Sequence, residues 1–252
     1  MRRILLLLFL GVAICCNATK SDTLRLVHNV SKSDMLIANG GMATITHDVV
    51  CPVNKTILKS FNNWITNILS TQKMSESCTL MPSLDQIMID SIVIKDKAIK
   101  ENANIDCEII VERVYEKDNY ITFYMNMSVY EPGQNPILRT DYITINKNTG
   151  KLLTWDFLIN KKYLAKFKQV VVDEISRYYG VNDFSNLKVR LKKKAGLKIA
   201  DWTLPQNAII TNDGIIVLYK RGELSDVTDG QPMAIIPLNT IKRYMTKEGK
   251  NL

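Results

Sequence analysis

The sequence is poor in the residues that do chemistry. Two histidines, His28 and His47, are all that 252 residues contain. A polysaccharide deacetylase needs an aspartate and two histidines at metal-binding spacing, and a zinc-protease helix needs His-Glu-x-x-His; neither occurs. Also missing are the Gly-x-Ser-x-Gly nucleophile elbow, the P-loop and the Gly-x-Gly-x-x-Gly turn. These absences remove the familiar hydrolase, nucleotide and dinucleotide chemistries, and no cofactor is called for. With 25 acidic residues, a carboxylate pair that meets only in space is the one catalytic reading left. His28 and His47 lie 19 positions apart on two strand-like segments. Either they face each other and share a metal, or both are structural.

Long apolar runs are also scarce. The single one, Ile4 to Ile14, follows Arg2-Arg3 and precedes Cys15-Cys16-Asn17-Ala18. Eleven residues of helix span about 16 Å at about 1.5 Å each, too short for a bilayer core of about 30 Å. Residues 1–18 therefore read as a signal peptide and not as an anchor. Two processing routes fit. Ala13-Ile14-Cys15-Cys16 resembles a loose lipobox with Cys16 lipidated; alternatively, cleavage follows the small-x-small site Cys16-Asn17-Ala18. No other apolar run approaches 18 residues, so nothing else is long enough to span a membrane as a helix.

Cysteine is sparse. Beyond the signal three remain, Cys51, Cys78 and Cys107, which allow at most one internal disulfide. Export permits such a bond. Cys51 and Cys78 flank one predicted helix and are the pair to consider first; the other reading leaves all three reduced. Cys107 sits among Ile105, Ile109 and Val111 and reads as a small buried hydrophobe.

Charge of one sign is in excess. Without Arg2 and Arg3, 31 basic residues face 25 acidic ones. Lys188, Arg190, Lys192, Lys193, Lys194 and Lys198 occur with no acidic residue among them. They read either as a patch for anionic lipid or cell-wall polymer or as a solvated loop or edge strand guarded by lysine. The export signal argues against nucleic acid.

What is present is an ordinary globular pattern, 46% hydrophobic and 23% charged. Thr23–Val30, Gly41–Val50, Gln86–Ile94, Asn104–Tyr115 and Tyr120–Tyr130 carry strand patterns, the last alternating most cleanly. Ile57, Leu58, Phe61, Trp64, Ile65, Ile68 and Leu69 form a helical stripe behind Asn54, a suitable N-cap. Lys117-Asp118-Asn119 is a hairpin connection. The loop Glu131 to Pro136 is rich in Pro and Gly and marks a seam, so that residues 19–131 form an N-terminal α+β unit and 132–252 a C-terminal one.

The C-terminal unit opens with an alternating strand, Leu138 to Ile145, and the turn Asn146 to Lys151. A helix capped by Asn160 and closed at Gly180 follows, with Tyr163, Phe167, Val170, Val171, Ile175 and Tyr178 on one stripe. Pro205–Thr211, Asn212-Asp213-Gly214 and Ile215–Tyr219 make a hairpin. Met233–Pro237 is a strand and Leu238–Met245 a closing helix. The predicted fold class is α+β: antiparallel sheets, each covered on one face by an amphipathic helix.

Three segments carry a family resemblance. Asp141 to Phe157 (DYITINKNTGKLLTWDF) pairs a strand with an Asn-x-x-x-Gly-Lys turn. Thr211 to Tyr219 and Gly230 to Met245 (GQPMAIIPLNTIKRYM) supply the closing strand and the Ile-Pro ending. In this order they resemble the extracytoplasmic domain of unknown function found at the C-termini of RsiV and PdaC. Thr44 to Leu69 resembles the smaller domain that precedes it there. The loop Glu131 to Pro136 departs from the family pattern in having no His and a single Gly. The resemblance implies a non-catalytic binding module of a bacterial cell envelope, with a peptidoglycan-type glycan or an envelope protein as partner. A structural lipoprotein tethered through its lipid, without a small ligand, is the alternative. For a glycan the candidate contact residues are Tyr142, Trp155 and Trp202, if they form an exposed patch.

Overall fold

The computed structural model describes residues 25–36, 41–69, 104–133, 136–191 and 198–252. Strict alternation draws the first half of the chain into one sheet. Five strands, β1 (Leu26–Leu36), β2 (Met42–Pro52), β3 (Ile105–Lys117), β4 (Tyr120–Tyr130) and β5 (Ile137–Asn146), lie side by side in chain order. The inward set, including Ile45, Val49, Ile109, Val111, Phe123, Met125, Ile143 and Ile145, is fully buried. Helix α1 (Lys55–Leu69) lays its stripe on that face. Its Phe61 ring meets Phe123 edge-on, with centroids 4.9 Å apart. Asn54 caps the helix as expected, its Oδ1 accepting from the Thr56 amide at 2.8 Å.

Two expectations about this layer are corrected. The sheet is not wholly antiparallel: β2 and β3 run parallel, with Ala43 opposite Ile105 and Val49 opposite Val111. A helix between two neighbouring strands is a crossover, and a crossover returns the chain in the same direction. The seam at 131/132 is not a structural boundary either. β5 pairs antiparallel with β4 straight across it, Phe123 opposite Ile143. The Pro-Gly loop is a hairpin connection, because an alternating strand leaves its backbone groups unpaired unless its neighbour is in the same sheet. The expected strand Gln86–Ile94 lies outside the described residues.

A second sheet covers the opposite face of the first. It contains β6 (Ile209–Thr211), β7 (Gly214–Leu218) and β8 (Met233–Ile236), all antiparallel. Alternation along β7 splits its side chains. Ile216 and Leu218 join Ile209, Met233 and Tyr142 between the sheets, while Ile215 and Val217 face a larger core. Into that core run the chain from the short helix α2 (Trp155–Leu158) and, after a 3-10 turn capped by Asn160, helix α3 (Leu164–Tyr178). Phe167, Val171, Val172 and Ile175 of α3 have no exposure. The layers are thus helix, sheet, sheet, helix, the α+β arrangement expected from the sequence.

Two buried threonines join the sheets. Thr122 Oγ1 donates to the Ile210 carbonyl at 2.6 Å, and the Ile210 amide donates to Thr144 Oγ1 at 3.1 Å. The two hydroxyls lie 2.9 Å apart. Buried polar groups satisfied in this way cost nothing to bury and fix the registry of the layers.

Cys107 on β3 is a reduced, buried thiol in the first core. Burial, and then the neighbouring Asp106 charge, push it from its ordinary 9.0 up to about 12. The sign follows from linkage. Below pH 9 the thiol keeps its proton in both folded and unfolded chains; above it the unfolded chain ionises first and folding loses ground until the folded pKa is passed. The stability difference between the wild type and Cys107→Ala, measured by urea unfolding across this range, is expected to hold steady up to pH 9 and to shrink as pH rises towards 12.

Candidate functional site

A large concavity lies at one end of the five-stranded sheet. Three turns and the last residues of the chain meet there. The β3–β4 hairpin turns at Asp118, whose φ of 46° is the left-handed value this tight reversal needs. The turn after β5 carries Lys147 and Asn148 beside it; the Lys147 amide donates to the Asn119 carbonyl at 2.6 Å, and Asn148 Nδ2 donates to Asn119 Oδ1 at 3.0 Å. The β6–β7 turn contributes Asn212, and the final segment contributes Asn251 and Leu252. A β-bulge between Arg113 and Tyr115 re-aims the end of β3.

The resulting groove has a volume of about 1800 Å³. Ordinary small-ligand pockets hold about 300–1000 Å³, so this one suits an extended ligand. Its polar lining sets four basic and three acidic side chains, close to charge balance, beside a group of neutral amides. Asn54, Asn119, Asn148, Asn212 and Asn251 all reach it. An amide offers both two donors and an acceptor, and among the described residues the side chains of Asn212 and Asn251 have no hydrogen-bond partner. The cations are mostly engaged. Glu116, with its side chain 12% exposed, accepts from Arg113 Nη1 at 2.8 Å and from Lys147 Nζ at 2.9 Å. Lys117 Nζ donates to the Leu252 carbonyl oxygen at 2.5 Å, as does the Tyr115 hydroxyl at 3.3 Å. Burial, with the Asp118 charge second, raises the Tyr115 phenol, so it stays a donor at neutral pH. Tyr120 and Phe157, with ring centroids 5.4 Å apart, form an aromatic edge to the groove.

The aromatic residues singled out from sequence do not form a patch. Trp202 is 3% exposed and sits in the second core, its Nε1 donating to the Tyr219 hydroxyl at 2.7 Å. Trp155 is half-buried against Phe167, and its Nε1 donates to the Pro205 carbonyl at 2.6 Å. Tyr142 lies between the sheets, half-buried against Tyr124. Each indole N–H is satisfied internally, which is how a core accommodates tryptophan.

Of the basic run, the structure describes Lys188, Arg190 and Lys198. Lys188 and Arg190 lie not on a loop or strand but on α4 (Phe184–Arg190), a short helix that forms because Asp183 caps it, its Oδ1 accepting from the Asn186 amide. Arg190 bonds Asp229 and holds its carboxyl below the usual range. Lys198 opens a 3-10 turn. Lys192, Lys193 and Lys194 lie outside the described residues, as do Cys16 and Cys78, and with Cys78 the Cys51 pairing. Cys51 itself is buried, with Asn29 Nδ2 at 3.5 Å from its sulfur.

The histidines do not meet. His28 Nε2 lies 2.5 Å from Asp48 Oδ1 on the exposed face of β1–β2, while His47 is buried on the other face with Nδ1 3.4 Å from Ser31 Oγ. Among the described residues no three His, Cys, Asp or Glu side chains are grouped so as to hold a metal.

No family model matches this sequence, and no curated protein matches it. Solved structures do. The fold is similar to that of DUF3298 proteins. One, from Bacteroides fragilis NCTC 9343, superposes with a TM-score of 0.63 at 12% identity, over 89% of this chain and 94% of its own. Another, from Pseudomonas aeruginosa PAO1, gives 0.60 at 10% identity, over 90% and 96%. At such identity the likeness is one of fold. Because it covers nearly all of each chain, the shared unit is the pair of stacked sheets with their helices, and not one half. The neighbours' family is defined as a domain of unknown function, so what the groove does must come from its own residues.

The groove was not legible as a site beforehand. Its members come from separate places in the chain, and no spacing links them. The available signal was two Asn-containing turns, Lys117-Asp118-Asn119 and Asn146 to Lys151, both recognisable as turns.

Proposed function

We propose that this chain is a non-catalytic extracytoplasmic binding module of a bacterial cell envelope, and that the groove holds a peptidoglycan-type glycan. The observation that carries the reading is the asparagine lining of a long, open, nearly charge-balanced groove with an aromatic edge. Vicinal hydroxyls and N-acetyl amides each need a donor and an acceptor close together, which a side-chain amide supplies. A sugar ring also offers an apolar face to an aromatic such as Phe157. The signal-like pattern of residues 1–18, with Cys16 as a lipid tether or Ala18 as a cleavage point, supports a location on the side of the membrane where such glycans occur. The resemblance of Asp141–Phe157 and Gly230–Met245 to the RsiV and PdaC domain supports the same location.

The test is a calorimetric titration of soluble peptidoglycan chains into the wild type and Asn119→Ala/Asn148→Ala. Two lost hydrogen bonds at about 0.5–1.5 kcal/mol each should weaken binding about tenfold, with thermal melts showing a folded chain. Unchanged affinity in the folded variant would refute the groove as the glycan site. Binding of an envelope protein with no binding of glycan would replace the ligand class.

A further inference from the structure

A second concavity lies away from the asparagine groove, where the start of α3 meets the end of the chain. Its lining is Tyr163, Lys166, Arg243 and Tyr244, and its volume is about 270 Å³. Two segments some eighty residues apart in sequence are zipped together to build it. Ile159 forms a β-bridge with Met245, the Asn160 amide donates to the Tyr244 carbonyl at 2.9 Å, and the Thr246 amide donates to the Leu158 carbonyl at 2.9 Å. Thr246 Oγ1 adds a bond to the Phe157 carbonyl at 2.5 Å. The backbone of the site is therefore held in advance of any ligand.

The two segments that build this pocket are rich in cations. Lys161, Lys162, Lys166, Lys242, Arg243 and Lys247 are all exposed, and among the described residues none is in an ion pair. Instead, aromatic rings hold two of these cations, Lys162 and Arg243. Lys162 Nζ lies 4.7 Å from the Tyr163 ring centroid, and Arg243 Cζ lies 4.7 Å from that of Tyr244. A cation–π contact positions a charge without neutralising it. The two rings are themselves 5.8 Å apart and form the walls.

We propose that the Tyr163–Lys166–Arg243–Tyr244 pocket binds a phosphate ester group. Phosphate is an anion rich in acceptors, and the pocket's side chains meet it as a planar guanidinium fork, an ammonium point charge and two phenol hydroxyls. A volume of about 270 Å³ admits a phosphate with a small polyol attached, such as glycerol phosphate, and excludes a glycan chain. A phospholipid headgroup and a soluble phosphate ester both present this chemistry. The inference does not depend on the asparagine groove, because the two sites share no residue.

The experiment compares co-sedimentation of the purified chain with vesicles of phosphatidylcholine alone and of phosphatidylcholine with an equal part of phosphatidylglycerol. In parallel, glycerol phosphate and inorganic phosphate are titrated in solution. Variants are Lys166→Ala/Arg243→Ala, the charge-keeping Arg243→Lys, and Lys188→Ala as a cation outside the pocket. Lys166 and Arg243 are exposed and Lys188 is half-buried over the Phe184 ring, so thermal melts are run on every variant and binding is compared per folded molecule. The expected result is binding to phosphatidylglycerol vesicles, to glycerol phosphate, or to both. It should fall tenfold or more in the double variant, fall partly in Arg243→Lys and stay unchanged in Lys188→Ala. Vesicle binding competed by glycerol phosphate identifies a lipid headgroup; solution binding without vesicle binding identifies a soluble ester. Equal losses in Lys188→Ala and the double variant would show unspecific charge attraction, and no binding to either form would leave the pocket without a phosphate role; either result overturns the proposal.

Discussion

Replacing Trp202 with alanine should cost the fold about 3–5 kcal/mol without changing the groove. The indole fills the second core, with Phe184 edge-on at 6.1 Å and Tyr219 at 6.3 Å between ring centroids. Its N–H is the donor to the Tyr219 hydroxyl, which donates on to the Thr203 carbonyl at 3.0 Å. Tyr219 has no exposure, and burial raises its phenol far above the ordinary value, so it remains neutral and keeps donating. Removing the indole leaves a cavity and takes from the Tyr219 hydroxyl the donor it accepts from, and the second loss adds to the first. Denaturant unfolding measures the cost. Glycan affinity per folded molecule should match the wild type, since no atom of Trp202 lines the groove. Loss of affinity in a folded Trp202→Ala chain would instead make the tryptophan a ligand contact.

Gly150→Ala should be nearly as damaging, for a different reason. Gly150 has φ of 67°, and a Cβ there would lie 2.3 Å from the Thr56 carbonyl oxygen in the first turn of α1. The turn is pressed onto the helix, and Ser60 Oγ donates to the Gly150 carbonyl at 2.6 Å. Left-handed strain of about 1–2 kcal/mol adds to an overpacking cost of about 1–3 kcal/mol. The total, about 2–5 kcal/mol, should appear as a lowered unfolding midpoint. Gly180→Ala is the control. Its φ of 66° is similar, but a Cβ there meets nothing within 4 Å, so only the left-handed cost of about 1–2 kcal/mol remains. If the two variants are equally stable, the packing of this turn on α1 is not what Gly150 serves. The consequence reaches function, because the same turn delivers Lys147 and Asn148 to the groove.

Local order was readable from the chain, and partnership was not. The alternation of Tyr120–Tyr130 gave β4 to the residue, and Asn54 and Asn160 marked helix starts because capping is a matter of one side chain and a nearby amide. Which sheet received β5 depended on a partner strand, and the Pro-Gly loop before it looked the same as a linker. The parallel β2–β3 pair could have been inferred from the helix between them. The aromatics misled because tryptophan has the same letter in a core and on a platform; Trp202 is distinguished only by Tyr219, seventeen residues on and across the core. The asparagine groove and the Tyr163–Tyr244 pocket both arise where segments distant in sequence close on one another, which no local pattern encodes.

The central claim is that the asparagine groove holds a cell-wall glycan. Its most direct test is co-sedimentation of the chain with isolated peptidoglycan, titrated with salt, for the wild type and Asn119→Ala/Asn148→Ala. Hydrogen bonds between neutral groups survive screening, whereas attraction between exposed charges fades as the Debye length falls from about 10 Å at 0.1 M to about 3 Å at 1 M. The account predicts that the wild type still pellets at high salt and that the double variant does not. Pelleting that vanishes with salt in both, or that persists equally in both, would contradict it.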